Sequence, residues 1–207
     1  MSPRPYRLGQ RQATTDQTRT RILAAAHQLL AAAGGIAGFT VEAVARHADV
    51  SRMTVYYQFG SKAGLLEALF DQLATTGRLP QGAVAALNQP DPLDALAGYI
   101  AAFGRFWAAE RLVLRRLRSL AALDPELDQG VRARDARRRA GLELLAGRLA
   151  DRYGHPAPEA LAEAVTVLHM LTSFETFDAL AGPDRSPQDV AGQVHQLAVA
   201  ALRLPQQ

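Results

Sequence analysis

Apolar residues recur along this chain at the spacing of helices and nowhere in the alternation of strands. Ile22, Leu23, Ala26, Leu29, Leu30 and Ala33 share one face of a helix expected from Gln17 to Ala33, and Gly34-Gly35 stops it. Before it, residues 1–16 hold Pro3, Pro5 and Gly9 among polar and Arg positions, the composition of a disordered arm. Further on, Asp91-Pro92, Asp124-Pro125 and Ser186-Pro187 each place a capping side chain before a Pro suited to a first helical position. Gly154 and Gly182, each followed within two residues by Pro, close two helices. The pattern predicts an all-α chain of about nine helices with a functional boundary near Ala63, dividing an N-terminal region, 17–62, from a C-terminal region, 63–207.

The most informative stretch is residues 39–62, FTVEAVARHADVSRMTVYYQFGSK. Thr40 can cap a short helix ending near His47, and Ser51 can cap a second after a turn through Ala48-Asp49-Val50. Ala45, Val50, Val55 and Phe59 supply the small and apolar contacts that two steeply crossing helices need. This is the pattern of a helix-turn-helix, whose second helix enters a major groove of DNA. The outer face of that second helix is predicted to show Arg52, Met53, Thr54, Tyr56 and Tyr57. Arg bonds bidentately to guanine, Thr reaches base edges or phosphates, and Met touches a thymine methyl. Tyr hydroxyls donate to phosphate, and Lys62 falls in the first turn of the next helix, where free N–H groups favour the same anion.

Charge supports that assignment modestly. Through Lys62 there are eight Lys and Arg against three Asp and Glu, while from Ala63 onward acids slightly outnumber bases. A basic first third suits a polyanionic partner. The chain has no Cys, which excludes disulfides, thiolate metal sites and a catalytic thiol. Its five His are scattered without metal-ligand spacing, and no phosphate-binding glycine loop or nucleophile elbow occurs. An enzyme, a cofactor and a bound metal are therefore not expected. No apolar run is long enough to span a membrane, and no apolar segment follows the N-terminal Arg residues as in a secretory signal; a cytoplasmic protein is expected.

Residues 18–70 resemble the DNA-binding region of the tetracycline-repressor (TetR) family. The resemblance runs from Arg21-Ile22-Leu23 through Phe39-Thr40, Val50-Ser51, Tyr56-Tyr57-x-Phe59 and Ser61-Lys62 to Leu65-Leu66. Three positions depart from the family's usual pattern. Asp49 stands where Gly is common, Met53 where a small residue is common, and Gln58 where His is common. Asp tolerates the left-handed turn that Gly would serve. The resemblance implies a homodimer with its recognition helices in successive major grooves of a near-palindromic operator on double-stranded DNA. By position it implies DNA contacts from Thr40, Ser51, Arg52, Thr54, Tyr56, Tyr57 and Lys62. It further implies a small-molecule effector and, as the usual outcome, repression.

The C-terminal region is read with that in mind. Segment 159–181 is apolar around most of its circumference, so it must be buried on more than one side. Val165, Leu168 and Thr172, with Val190, Val194 and Leu197 of the following helix, are the candidate dimer contacts. Tyr99, Phe103, Phe106 and Trp107 form the densest aromatic cluster and, with His169, Ser173 and Phe177, the candidate ligand pocket; ordinary core packing explains the aromatics equally well. Arg132, Arg134, Arg137, Arg138 and Arg139, interrupted by Asp135, are expected to form a solvated face. The helix from Ser61 to about Thr76 joins the two regions and is the expected lever.

Overall fold

Eleven α-helices and one short 3-10 helix account for nearly all of the described chain in the computed structural model. It describes residues 4–154 and 158–205, with side chains over 13–154 and 159–205. The helices are α1 (Arg4–Ala31), α2 (Val41–His47), α3 (Arg52–Phe59), α4 (Lys62–Thr76), α5 (Leu79–Leu87), α6 (Pro92–Ala109), α7 (Arg111–Ala121), α8 (Pro125–Tyr153), α9 (Pro158–Leu171), α10 (Phe174–Ala181) and α11 (Ala191–Ala201); the 3-10 helix is Pro187–Val190. No strand occurs among the described residues.

Local chemistry explains most of these boundaries. Asp91 accepts from the N–H groups of Leu93 and Asp94, and Asp124 from those of Glu126 and Leu127, so both Asp-Pro starts are realised. Gly154 and Gly182 take positive φ just past α8 and α10. Ser186 starts the 3-10 helix with a reciprocal capping box to Asp189, and the α-helix proper begins only at Ala191.

Three expectations are corrected. The arm anticipated over residues 1–16 is helical from Arg4; Pro5 lies within the first turn, where no intrahelical N–H bond is required. Residues 1–3 lie outside the described residues. Segment 159–181 is two helices rather than one, because the Ser173 hydroxyl accepts from the N–H of Thr176 and starts α10 afresh. The division of the chain also differs. One compact unit comprises Met1–Gln72 with Leu112–Val131, and the other Leu73–Arg111 with Arg132–Gln207.

In the first unit, Ile22, Ala26 and Leu30 of α1 are buried with Phe39, Val44, Val55, Leu65, Leu69, Leu114 and Leu117. Arg116 of α7 donates to the carbonyls of Leu30 and Ala32, satisfying groups that the end of α1 leaves open. Gly35 permits this: a Cβ there would lie 2.5 Å from the guanidinium carbon. Ser61 adds a bond to Glu126 at 2.7 Å.

The second unit is built around α6, whose Leu96, Ile100, Phe103, Phe106 and Trp107 are buried. Gly104 lets α6 approach α10 and α11, since a Cβ would meet Phe177 at 2.9 Å and Ala191 at 3.3 Å. Arg111 ties α10 down, donating to the Asp178 carboxylate at 2.5 Å and to the carbonyls of Asp178, Gly182 and Arg185. Among the described residues, no helix is long and apolar enough to cross a membrane.

Candidate nucleic-acid interface

The helix-turn-helix forms where its sequence predicts. Thr40 accepts from the N–H of Ala43 and starts α2; Ser51 accepts from the N–H of Thr54 and starts α3. Between them Val50 N–H bonds to Ala45 C=O, and Asp49 takes φ 51°, the left-handed conformation that an Asp side chain tolerates. Val44, Ala45 and Val55 are buried between the helices. Phe59 is only half-buried; the Arg19 guanidinium lies 4.4 Å from its ring centroid and donates to Gln58 C=O, pinning the end of α3 to α1.

One side of α3 is left in solvent. Met53 is 70% exposed, Tyr57 86% and Tyr56 37%, with Arg52 exposed and Thr54 half-buried behind them. Two large apolar or aromatic side chains this open on an eight-residue helix have no structural use in the monomer. The Thr54 hydroxyl is engaged with Ser51 Oγ at 2.8 Å. Lys62 is half-buried, its ammonium 5.7 Å from the Phe39 ring centroid. Thr40, Ser51, Arg52, Met53, Thr54, Tyr56, Tyr57 and Lys62 thus gather on or beside α3 in one unit.

Sequence reasoning missed Glu42. Its carboxylate accepts from Arg52 Nη1 at 2.6 Å, with both side chains more than half exposed. That hydrogen bond holds the Glu42 carboxyl below its ordinary value and raises the Arg52 guanidinium. The signal available was an acid two residues past the cap Thr40, on a face otherwise made of donors.

The C-terminal candidates fare differently. Tyr99, Phe103, Phe106, Trp107 and Phe177 are all buried. Phe103, Phe106 and Phe174 surround Trp107 in tilted or edge-on pairs, and Tyr99 packs against Phe103, with ring centroids 4.7–5.7 Å apart. Their polar atoms are engaged: Tyr99 donates to Arg138 C=O and Trp107 to Thr172 C=O, each at 3.1 Å. Burial pushes the Tyr99 phenol up to about 12. The cluster is buried within this chain. His169 and Ser173 are half-buried beside it. One groove of this unit, of about 740 Å³, is lined by Leu93, Asp94 and Ala97 of α6 with His195, Gln196 and Val199 of α11. Another, of about 580 Å³, lies among the ends of α8, α9 and α11.

Of the six candidate dimer contacts, Val165, Leu168, Thr172, Val190 and Val194 are buried within the chain itself, and only Leu197 is exposed. The helical faces chosen from periodicity are the inward ones; Met170 lies on the outward face of α9. The Arg132–Arg139 run is likewise not wholly solvated. Arg138 is buried, donating to His169 C=O at 2.5 Å, Thr172 Oγ1 at 2.8 Å and Asp135 Oδ1 at 3.0 Å.

Two short capped helices with a tight turn between them and an open, largely aromatic outer face have the form of a helix-turn-helix DNA-binding unit. Comparison with known proteins agrees. Residues 22–69 match the family described as bacterial regulatory proteins, tetR family. No curated protein matches the chain. The fold is shared with solved structures over nearly the whole chain. A TetR family transcriptional regulator, PfmR, from Thermus thermophilus is 24% identical, with 90% of this chain and 100% of that one covered and a TM-score of 0.61. NalD of Pseudomonas aeruginosa, the secondary repressor of the MexAB-OprM multidrug efflux pump, is 23% identical over 90% of this chain and 96% of that one, with a TM-score of 0.62. FadR of Bacillus halodurans, a fatty acid degradation regulator, is 20% identical over 91% and 97%, with a TM-score of 0.63. Residues 22–69 are therefore a TetR-type DNA-binding region, and the described chain has the TetR fold.

Proposed function

We propose that this chain is a cytoplasmic transcriptional regulator that binds a near-palindromic operator as a homodimer, represses, and is released by a small molecule. The observation that carries the reading is the solvent-facing side of α3, where Arg52, Met53, Tyr56 and Tyr57 are exposed. These side chains supply a guanine reader, a methyl contact and phosphate donors on one short helix. Two such helices address one operator when a dimer sets them about 34–36 Å apart, one duplex turn.

Release by an effector is population shift. A ligand that prefers a dimer with a different spacing of recognition helices weakens operator binding by its differential affinity for the two states. The α6–α11 groove is within the size range of small-molecule sites and offers Asp94, His195 and Gln196 among apolar walls. Repression is supported by the likeness to NalD, a repressor.

The test is selection of genomic fragments by the purified protein, followed by titration at several salt concentrations. A near-palindromic site bound about 10³-fold or more above random DNA, with affinity falling steeply as salt rises, is the expected result. Equal binding to random duplex would leave a sequence-neutral DNA-binding protein, and no salt-dependent DNA binding would leave a protein-interaction module.

A further inference from the structure

We propose that Glu42 is a positioning residue for base reading: it holds Arg52 so that the guanidinium meets one base pair of each half-site in a fixed orientation. The inference rests on the operator-reading function above and deepens it. Arg52 is the first residue of α3, and the N-terminal residues of a recognition helix are those that meet base edges. Arg has a long, rotamer-rich side chain, and ordering it only on binding is costly. Here the ordering partner is already in place, Glu42 Oε1 at 2.6 Å from Arg52 Nη1. That bond uses one of the five donors of the guanidinium fork, and a bidentate grip on guanine takes two more.

The placement of the acid argues in the same direction. Glu42 is exposed on a DNA-binding surface, where a carboxylate repels phosphate. It lies in the first turn of α2, whose positive end favours an acid, and its carboxylate bonds there too, to its own backbone N–H and the Thr40 side chain, with Arg52 as the largest influence on it. A helix-start role alone calls for a negative charge and no particular reach. The role proposed here calls for reach across to α3.

The experiment compares operator libraries selected by the full-length wild type, E42D, E42Q, R52A and E42Q/R52A, with helicity and thermal unfolding checked for each. E42D keeps the charge at the helix start but shortens the reach by one methylene. R52A is expected to lose preference at one symmetric pair of positions, on the order of tenfold or more. E42Q and E42D are expected to lose much of the preference at those same positions, and the double variant no more than R52A alone. Three results overturn the proposal while leaving operator binding intact: E42D selecting as wild type does, E42Q strengthening operator and random DNA equally, or R52A leaving base preference unchanged. A wild type that selects no sequence overturns operator reading itself, and the role of Glu42 with it.

Discussion

Replacing Arg138 with Met tests the energetics of the C-terminal unit most directly. The guanidinium is 4% exposed and bonds the Asp135 carboxylate, the Thr172 hydroxyl and the His169 carbonyl. Removing one partner of a buried ion pair typically costs about 3–5 kcal/mol, because the charge left behind is uncompensated. The Asp135 side chain is 26% exposed, so water recovers part of its carboxylate's loss. Thr172 keeps a bond to Leu168 C=O. A net loss of about 2–4 kcal/mol follows, which for a chain of this length lowers Tm by roughly 5–15 °C. Urea unfolding at pH 7 measures it. The His169 imidazole supplies an independent readout by NMR titration. Burial and then the Arg138 charge hold it below its ordinary value, so in the variant it moves upward part of the way. A loss under about 1 kcal/mol with an unchanged denaturant slope would refute the reasoning.

Other expectations are more compact. Ser51→Ala removes the bond to the N–H of Thr54 and should cost about 1 kcal/mol, with operator affinity falling alongside; thermal melts and gel shifts read both. Lys62→Ala should weaken operator and random DNA alike and lower the salt slope by about one per subunit, without changing base preference. Acid should destabilise the fold once pH falls below about 6.5. His169 and His195 both lie below their ordinary 6.5 when folded, chiefly through burial. The unfolded chain therefore takes up protons first, and their contribution, full above 6.5, is lost as pH falls through the folded values. His195→Gln should flatten that slope in urea titrations at stepped pH.

The N-terminal unit was more legible in the sequence than the C-terminal one, for a physical reason. Caps act over three residues, so Thr40 and Ser51 could be read in place, and Asp49 announced the turn through its own backbone preference. Much of the face of α3 was legible because Met53 and Tyr57 stay exposed, so helical spacing alone places them. Where tertiary partners decide, the reading failed. Periodicity finds an apolar face without saying whether its partner is the same chain, so Val165, Leu168, Val190 and Val194 were assigned to a dimer and are core. Arg138 looked like its exposed neighbour Arg137 until Thr172 and the His169 carbonyl came from 31–34 residues away. The break at Ser173 was hidden because Ser is unremarkable in an apolar run until its hydroxyl is seen capping. Glu42 was overlooked because its meaning depends on Arg52, ten residues on and on another helix.

The guanidinium of Arg116 at the end of α1 bears on how such a protein can be recombined. The helix-turn-helix shares its compact unit with residues 112–131: Leu114 and Leu117 of α7 are buried there, Arg116 closes α1, and Glu126 meets Ser61. A chimera cut at Lys62 would separate the reader from part of its own interior. Exchange of the second unit between relatives should instead keep residues 1–72 and 112–131 together as one inherited block, replacing the rest as two segments. The grammar of this chain is discontinuous: the unit that holds the helix-turn-helix is written in two places.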